Sequence, residues 1–412
     1  MVPFDLTRAC CLLLTVLGLA ASTAAQCGHD WITGVGDGLP RDGEVFTSTL
    51  WDPDGPGPET PRVVVAGRMY TVGSVAAWDP ATGDWSAFGS TTSPGISGTI
   101  RALLALPNGD LIAGGEFTFA NGPNRVARWN GTGWQPLGLG ITGITGSVRA
   151  LAAMPNGDIV AAGFFQQSGA QNSLGNIARW DGTNWLPLGT GTDSVVLALE
   201  VMPNGDLIAG GNFTQAGGVA TGGIARWNGT NWAPVGSAIN HTVSDLAIMP
   251  NGDLVAATVG DVRRWNGSTW TTLGAFAGNC VDVTSAGELV AGGLVRSGTT
   301  VIGGQVAQWN GTTWTALGTG IDTGVESITT APGGRVVAVG DTPNTLPHAA
   351  RIQHWDGASW HELGTGLSAD GSLSSRPYVW ASTIMPNGDL VIGGAFHRLG
   401  GVVTNNIACF DG

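Results

Sequence analysis

The chain has 412 residues, 68 of them Gly and only 11% charged, while 42% are hydrophobic and 17 are Trp. That composition excludes a coiled coil, a collagen and a disordered chain: long-helix formers are scarce, the glycines keep no three-residue period, and apolar area for a core is ample. Thirty acids against 17 bases, all of them Arg, give a net charge of −13. This argues against nucleic acid or an anionic membrane as partner, and the lack of Lys removes Schiff-base and phosphate-loop lysine chemistry.

Residues 1–25 read as a secretory leader. Arg8 precedes an apolar run, Ala9 to Ala21, and the small residues Ser22-Thr23-Ala24-Ala25 follow. The run is short for a membrane span of about 20 residues, so cleavage near Ala25 is expected, leaving 26–412 secreted, extracellular or periplasmic. No later stretch is apolar enough to span a bilayer. The leader carries Cys10 and Cys11; Cys27, Cys280 and Cys409 remain, too few for a disulfide scaffold.

The rest is one unit written eight times. Pro107-Asn108-Gly109-Asp110-Leu111 returns from Pro155, Pro203, Pro250 and Pro386, the first four copies spaced 48, 48 and 47 residues apart. Weaker copies start at Ala286 and Gly333, and a diverged first copy is Pro61 to Gly67. Each is followed by a Trp pair on the pattern Ala127-Arg128-Trp129-Asn130-Gly131-Thr132-Gly133-Trp134. The pairs are Trp78/Trp85, Trp129/Trp134, Trp180/Trp185, Trp227/Trp232, Trp265/Trp270, Trp309/Trp314 and Trp355/Trp360. The eighth pair is split between the ends: Phe410 stands for its first Trp and Trp31 for its second.

Asn-Gly between β-forming runs is the strongest short hairpin signal, because both central residues tolerate positive φ. Two hairpins per repeat give four strands, the content of a propeller blade. In the second repeat strands are expected near 99–106, 110–117, 124–130 and 133–137. The apolar run Leu111-Ile112-Ala113-Gly114-Gly115 reads as a strand crowded near a ring axis. The fold expected is all-β: a single β-propeller of eight four-stranded blades, with seven as the competing count. It closes by setting 405–411 beside an outer strand 29–34.

The diglycine after a β-run, followed by Trp78-Asp79-Pro80-Ala81-Thr82-Gly83-Asp84-Trp85, resembles the kelch repeat of galactose-oxidase-like propellers. The other hairpins are two residues shorter. Their Ile-Ala-Arg-Trp-Asn-Gly-Thr-x-Trp form is similar to tandem repeats of uncharacterised secreted bacterial proteins and of a fungal cortical polarity marker. The resemblance spans 27–412 and implies a fold, whereas propellers host enzymes, lectins and scaffolds alike. A copper radical oxidase of this kind needs two Tyr, two His and a Cys; only Tyr70 and Tyr378 are present, with no matching Cys.

The Trp pairs offer two readings: sugar platforms, one per blade, or rings filling the gap between blades, which their regularity favours. Arg128, Arg179, Arg226 and Arg264 precede the first Trp of their pairs. They could ring an acidic ligand, or each pair with a turn carboxylate such as Asp110 or Asp158. The Asn-Gly-Asp turns supply too few oxygens for calcium. His354 and His361, with Glu362, make at best a weak metal set. Cys280 aligns with Ala102, Ala150 and Ala198 and is expected to be a buried small residue. Cys27 and Cys409 lie near the expected seam and are disulfide candidates. No catalytic residue, metal or cofactor is read from the sequence. The expectation is a secreted, non-enzymatic binding scaffold for a protein or glycan, taken as a monomer. The alternatives are a propeller lectin and, third, a hydrolase or lyase with an unrecognised loop site.

Overall fold

The computed structural model describes residues 43–69, 74–80, 82, 84–88, 96–118, 124–141, 146–168, 173–273, 277–284, 286–297, 300–318, 324–330, 334–341, 350–363, 378–385, 389–396, 398–399, 402–403 and 406–410. Four-stranded antiparallel sheets repeat along the chain, each paired in sequence order. In blade 2 the strands are Ser97–Ala105, Leu111–Thr118, Val126–Trp129 and Trp134–Pro136, close to the expected spans. Seven blades show all four strands. The eighth shows Tyr378–Ile384, Leu390–Ala395 and Ile407–Phe410. The strand expected to complete it, 29–34 with Trp31, lies outside the described residues, as do the leader, Cys27 and Tyr70. The protein is an all-β, eight-bladed propeller.

The ring closes through its core. Val45, Val63 and Trp78 of blade 1 pack with Ala381, Val391, Ile407 and Cys409 of blade 8 in one buried cluster. Equivalent clusters join the other neighbours, for instance Ile112 and Val126 of blade 2 with Val148 and Ile159 of blade 3. Burial of such area, at about 25 cal/mol per Å², is the main force holding blade to blade.

The first strand of every blade lies innermost. First strands of successive blades approach one another all round, including the last, Tyr378–Ile384, against the first, Gly43–Trp51. This corrects the reading of Leu111–Gly115 as the axial strand, for it belongs to the second strand. It is buried on both faces because neighbouring blades cover both, whereas the first strand alternates buried and half-buried positions where it meets the channel.

Each first strand carries a β-bulge at one register. The extra residues are Phe46, Arg101, Arg149, Leu197, Ser244, Asn279, Glu326 and Trp380, blades 1 to 8 in order. The bulge explains the diglycine. The second Gly sits where the bulged backbone turns toward it: a Cβ on Gly115 would lie 2.2 Å from Thr99 O, and one on Gly163 2.1 Å from Ser147 O. The first Gly faces the next blade, a Cβ on Gly114 or Gly210 meeting Cγ1 of Val148 or Val243 at 2.5 or 2.6 Å.

The Trp pairs seal the blade boundaries. Paired ring centroids lie 5.7 Å apart in Trp129/Trp134 and 5.5 Å apart in Trp227/Trp232. The second Trp donates its Nε1–H back to the preceding blade: Trp134 to Phe88 O at 3.1 Å, Trp185 to Leu137 O at 3.0 Å, Trp232 to Leu188 O at 2.7 Å. Trp270 and Trp360 do the same to Val235 O and Leu317 O. The remaining pairs, Trp78/Trp85, Trp180/Trp185, Trp265/Trp270, Trp309/Trp314 and Trp355/Trp360, keep the same ring contact. Phe410 ends the last strand, packed against the core between blades 7 and 8.

The seal is less complete at some blade boundaries than the regular spacing implies. Trp134, Trp185 and Trp232 are buried, as rings filling the gap between blades should be. Trp314 is not: it is only half-buried, and so are Trp85, Trp270 and Trp360. Trp314 and Trp134 both open an outermost strand whose other two residues are exposed, so the difference lies in how far the neighbouring blade covers the ring. The Trp314 ring packs against the buried cluster that Leu273 of blade 5 and Leu289 of blade 6 share.

Candidate functional site

The four arginines before the Trp pairs find local partners. Arg128 meets Asp110 and Arg179 meets Asp158 at 2.6 Å, Arg226 meets Asp206 at 3.5 Å, and Arg264 pairs with Asp253. In blade 6 the exchange Gln308–Glu288 keeps the contact without the cation. Side chains committed across a hairpin in this way do not make a ring of receptors. His354 and His361 stack at 5.1 Å, but His361 Nε2 bonds to Asp356 Oδ2 at 2.8 Å and Glu362 does not join them. Burial and the neighbouring His361 pull the His354 pKa down. Among the described residues no three His, Cys, Asp or Glu side chains gather into a metal set, and no helix is long and apolar enough to cross a membrane.

Cys280 takes the place expected of it, opposite Gly292 as Ala102 is opposite Gly114. It is half-buried rather than buried, because the first strand borders the channel, and its Sγ–H donates to Gly292 O at 3.6 Å. Cys409 is buried and disulfide-bonded; its candidate partner Cys27 is outside the described residues.

Two sets of side chains face the axis. Along blades 5 to 8 the first strands are stitched by polar groups. Asp245 accepts from Val281 N of the next blade at 3.1 Å, and Asp282 accepts from Thr330 N at 2.8 Å. Thr329 meets Ser382, and Thr383 meets Ser48 at 2.5 Å. Burial pushes the Asp245 carboxyl up to about 6, with Asp282 adding to the rise, and burial raises Glu200 likewise.

The second set is the bulge residues. A β-bulge re-aims its side chain, and here five consecutive ones form an arc at one mouth of the channel. Trp380 and Phe46 have ring centroids 4.9 Å apart, and the Arg101 guanidinium lies 5.0 Å over the Phe46 ring. Arg149 and Leu197 then line a cavity of about 710 Å³ with Glu116, Arg125, Ser147 and Phe164. Phe164 is 50% exposed, a large apolar side chain left toward solvent. Glu116 is held by Arg101 at 2.7 Å. Partial burial alone would raise its pKa, but the Arg101 bond and the Arg101 and Arg149 charges outweigh that and lower it. The sequence reading missed this site, because no motif marks a bulge whose occupant varies along the ring.

The class so defined is a repeat β-propeller with a non-uniform channel mouth. Residues 386–412 match the family model described as a domain of unknown function (DUF5122) beta-propeller. That supports a repeated propeller and does not single out the kelch or galactose-oxidase-like kind. No curated protein matches the chain in sequence. Among solved structures, the GH74 enzyme of Niastella koreensis matches over 91% of this chain and 61% of its own, at 15% identity and TM-score 0.52. YCF48 bound to D1 peptide matches over 75% and 96%, at 16% identity and TM-score 0.48. Puromycin hydrolase matches over 89% and 62%, at 14% identity and TM-score 0.47. At such identities the likeness shows the fold alone. It does correct the expectation of a non-enzymatic protein, since the scaffold found here also carries enzymes; no specific activity is shown for this chain.

Proposed function

We propose that the protein is a secreted kelch-like propeller that binds its ligand at the channel mouth carrying the bulge residues. One observation carries this reading. The bulge repeats at constant register on a rigid ring, yet its occupant is Phe, Arg, Leu, Ser, Asn, Glu or Trp according to blade. Invariant backbone geometry with variable side chains left half-buried or exposed, as the described ones are, is the arrangement of a recognition surface. Secretion is supported by the leader-like residues 1–25 and by the disulfide at Cys409, a bond kept in oxidising compartments.

The test is a screen of glycan and peptide arrays with the full chain and a variant carrying Arg149→Ala, Leu197→Ser and Trp380→Ala. Loss of a specific signal at unchanged melting temperature is expected. A signal that survives all three changes would place the binding elsewhere. One such place is the groove of about 360 Å³ between blades 4 and 5, where Trp265 and the half-exposed Arg226 stand beside Asn204 and Asp206. This groove is the specific support for the lectin reading, and Arg226→Ala tests it on the same glycan array.

A further inference from the structure

Repeats serve as their own reference, and at one buried turn blade 2 carries Arg125 where blades 3, 4 and 8 carry Asn or Gly and blade 1 carries Ser74. In these blades the backbone turns before the third strand, and the N–H of the second glycine donates to the carbonyl at that turn. Gly115 N bonds to Arg125 O at 3.0 Å, Gly163 N to Asn176 O at 2.9 Å, Gly211 N to Gly223 O at 3.0 Å and Gly394 N to Asn406 O at 2.9 Å. All four turn residues have positive φ, +48° at Arg125, +65° at Asn176, +89° at Gly223 and +72° at Asn406. Gly and Asn are the residues that tolerate this region. The asparagines also serve the loop: Asn176 Oδ1 accepts from Phe165 N at 3.2 Å and its Nδ2 donates to Thr192 O at 2.9 Å, while Asn406 Oδ1 accepts from Phe396 N at 2.8 Å.

Arg125 makes the same tie to the next blade that Asn176 makes to Thr192 O and Ser74 Oγ makes to Gly98 O, but it brings a charge and spare donors that the turn does not use. It is a long cation in a left-handed conformation, only 8% exposed. Its Nε–H donates to Gly146 O at 2.6 Å, while its Nη1 is buried with no hydrogen-bond partner. Among the described residues no carboxylate lies within ion-pair distance of it. Glu116 acts on its charge only from beyond ion-pair distance and is itself engaged by Arg101. A buried cation whose counter-charge is shared and distant is destabilising, and so is the backbone strain. Both are borne at the wall of the large cavity at the mouth, beside the exposed guanidinium of Arg149 and the apolar faces of Phe164 and Leu197.

We propose that this cavity is a carboxylate-binding site. The ligand's carboxylate would supply the counter-charge for Arg125 and Arg149, and an adjoining aryl or branched alkyl group would cover Phe164 and Leu197. The proposal rests on the reading of the mouth as the binding face and adds the chemistry of the ligand. Two sources share that chemistry: a small free acid, and the C-terminal residue of a polypeptide.

The experiment is calorimetric titration of the full mature protein with N-acetyl-phenylalanine and with its amide. A second arm uses a tetrapeptide ending in Phe, as free acid and as amide. Binding of an acid form with roughly tenfold or greater loss for its amide is expected, the range of a lost charged hydrogen bond. If both acids bind, the tetrapeptide binding more tightly indicates a chain terminus, and the small acid binding as well or better indicates a free metabolite. The key variant is Arg125→Asn, which installs the residue that Asn176 and Asn406 already use at this turn. It should fold at an equal or higher melting temperature and lose acid binding by a similar factor. Arg149→Gln should weaken it less. Equal binding of acid and amide, no binding of either acid, or full binding by Arg125→Asn would overturn the carboxylate site. Acid binding that also survives the triple mouth variant would remove the reading of the mouth as well, whereas a mouth-dependent array signal from a neutral ligand would leave that reading standing and this one refuted.

Discussion

At the scale of single residues, sterics and burial make separable predictions. Gly163→Ala puts a methyl into backbone already bent by the bulge, 2.1 Å from Ser147 O. It should destabilise by about 1–3 kcal/mol in chemical denaturation, the cost of overpacking. Gly157→Ala, where nothing lies within 4 Å but φ is +88°, should cost only the left-handed strain, on the order of 1 kcal/mol. Equal losses would mean that the bulge does not select glycine. Asp245 gives a pH signature. Burial first, and then Asp282, raise its carboxyl to about 6 from an ordinary value of 3.8. The native state therefore holds this proton more tightly than the unfolded chain, and its contribution to stability is full below about pH 4 and lost as pH climbs through 6. Asp245→Asn should remove that fall, on the order of 3 kcal/mol across the window. Stability measured from pH 4 to 7 in both proteins checks it, and parallel curves would refute the assignment.

At the scale of elements, the hairpin between the paired tryptophans is the unit that joins blades. Trp185→Phe keeps an aromatic ring but loses the indole's second ring and its Nε1–H bond to Leu137 O. A loss of about 1–2 kcal/mol in denaturation is expected, with the blade 3 hairpin still folded by amide exchange; a neutral change would reduce the indole to filler. These hairpins were legible because the signal is local: Asn130-Gly131 sets a turn whose flanking Trp129 and Trp134 then face each other. How deeply each ring is buried was not legible, since Trp314 and Trp134 share one sequence pattern and differ only in how far the neighbouring blade covers the rim. The bulge was not legible either, because it is a matter of register between strands. Its only trace is the second Gly of Gly114-Gly115, and even that is replaced by Thr258 where the connection of blade 5 shortens to Val259-Gly260-Asp261. The axial strand was misassigned for a related reason: an apolar run such as Leu111–Gly115 reports two covered faces, which a strand has between neighbouring blades as well as near an axis. Arg125 carries no sequence signal of its own, and it stands out only against Asn176 and Asn406, which occupy the same turn in blades 3 and 8.

At the scale of the whole molecule, the ends of the chain decide stability. Blade 8 packs on blade 1 through Ala381, Val391 and Cys409, so removing 403–412 takes away the strand Ile407–Phe410 and opens the core. The truncated protein should melt far lower than a protein that has merely lost a tail. Cys27 is the partner we propose for Cys409, and peptide mapping without reductant should recover the two in one fragment. Cys409→Ser should then lower stability by up to about 4–5 kcal/mol, the unfolded-chain entropy of a loop this long. Recovery of Cys409 joined to another cysteine would rule out that seam.

The repeated bulge also bears on how such a protein changes over generations. Tandem duplication copies the turns, glycines and tryptophans that every blade needs, and with each copy it adds one bulged position on the innermost strand. At the six of these positions whose side chains are described, Phe46, Arg101, Arg149, Leu197, Ser244 and Trp380, none is fully buried, so none is held by the packing that fixes the turns and glycines. A lineage can therefore alter what the ring recognises by point mutation at the bulges, one blade at a time, without passing through an unstable ancestor.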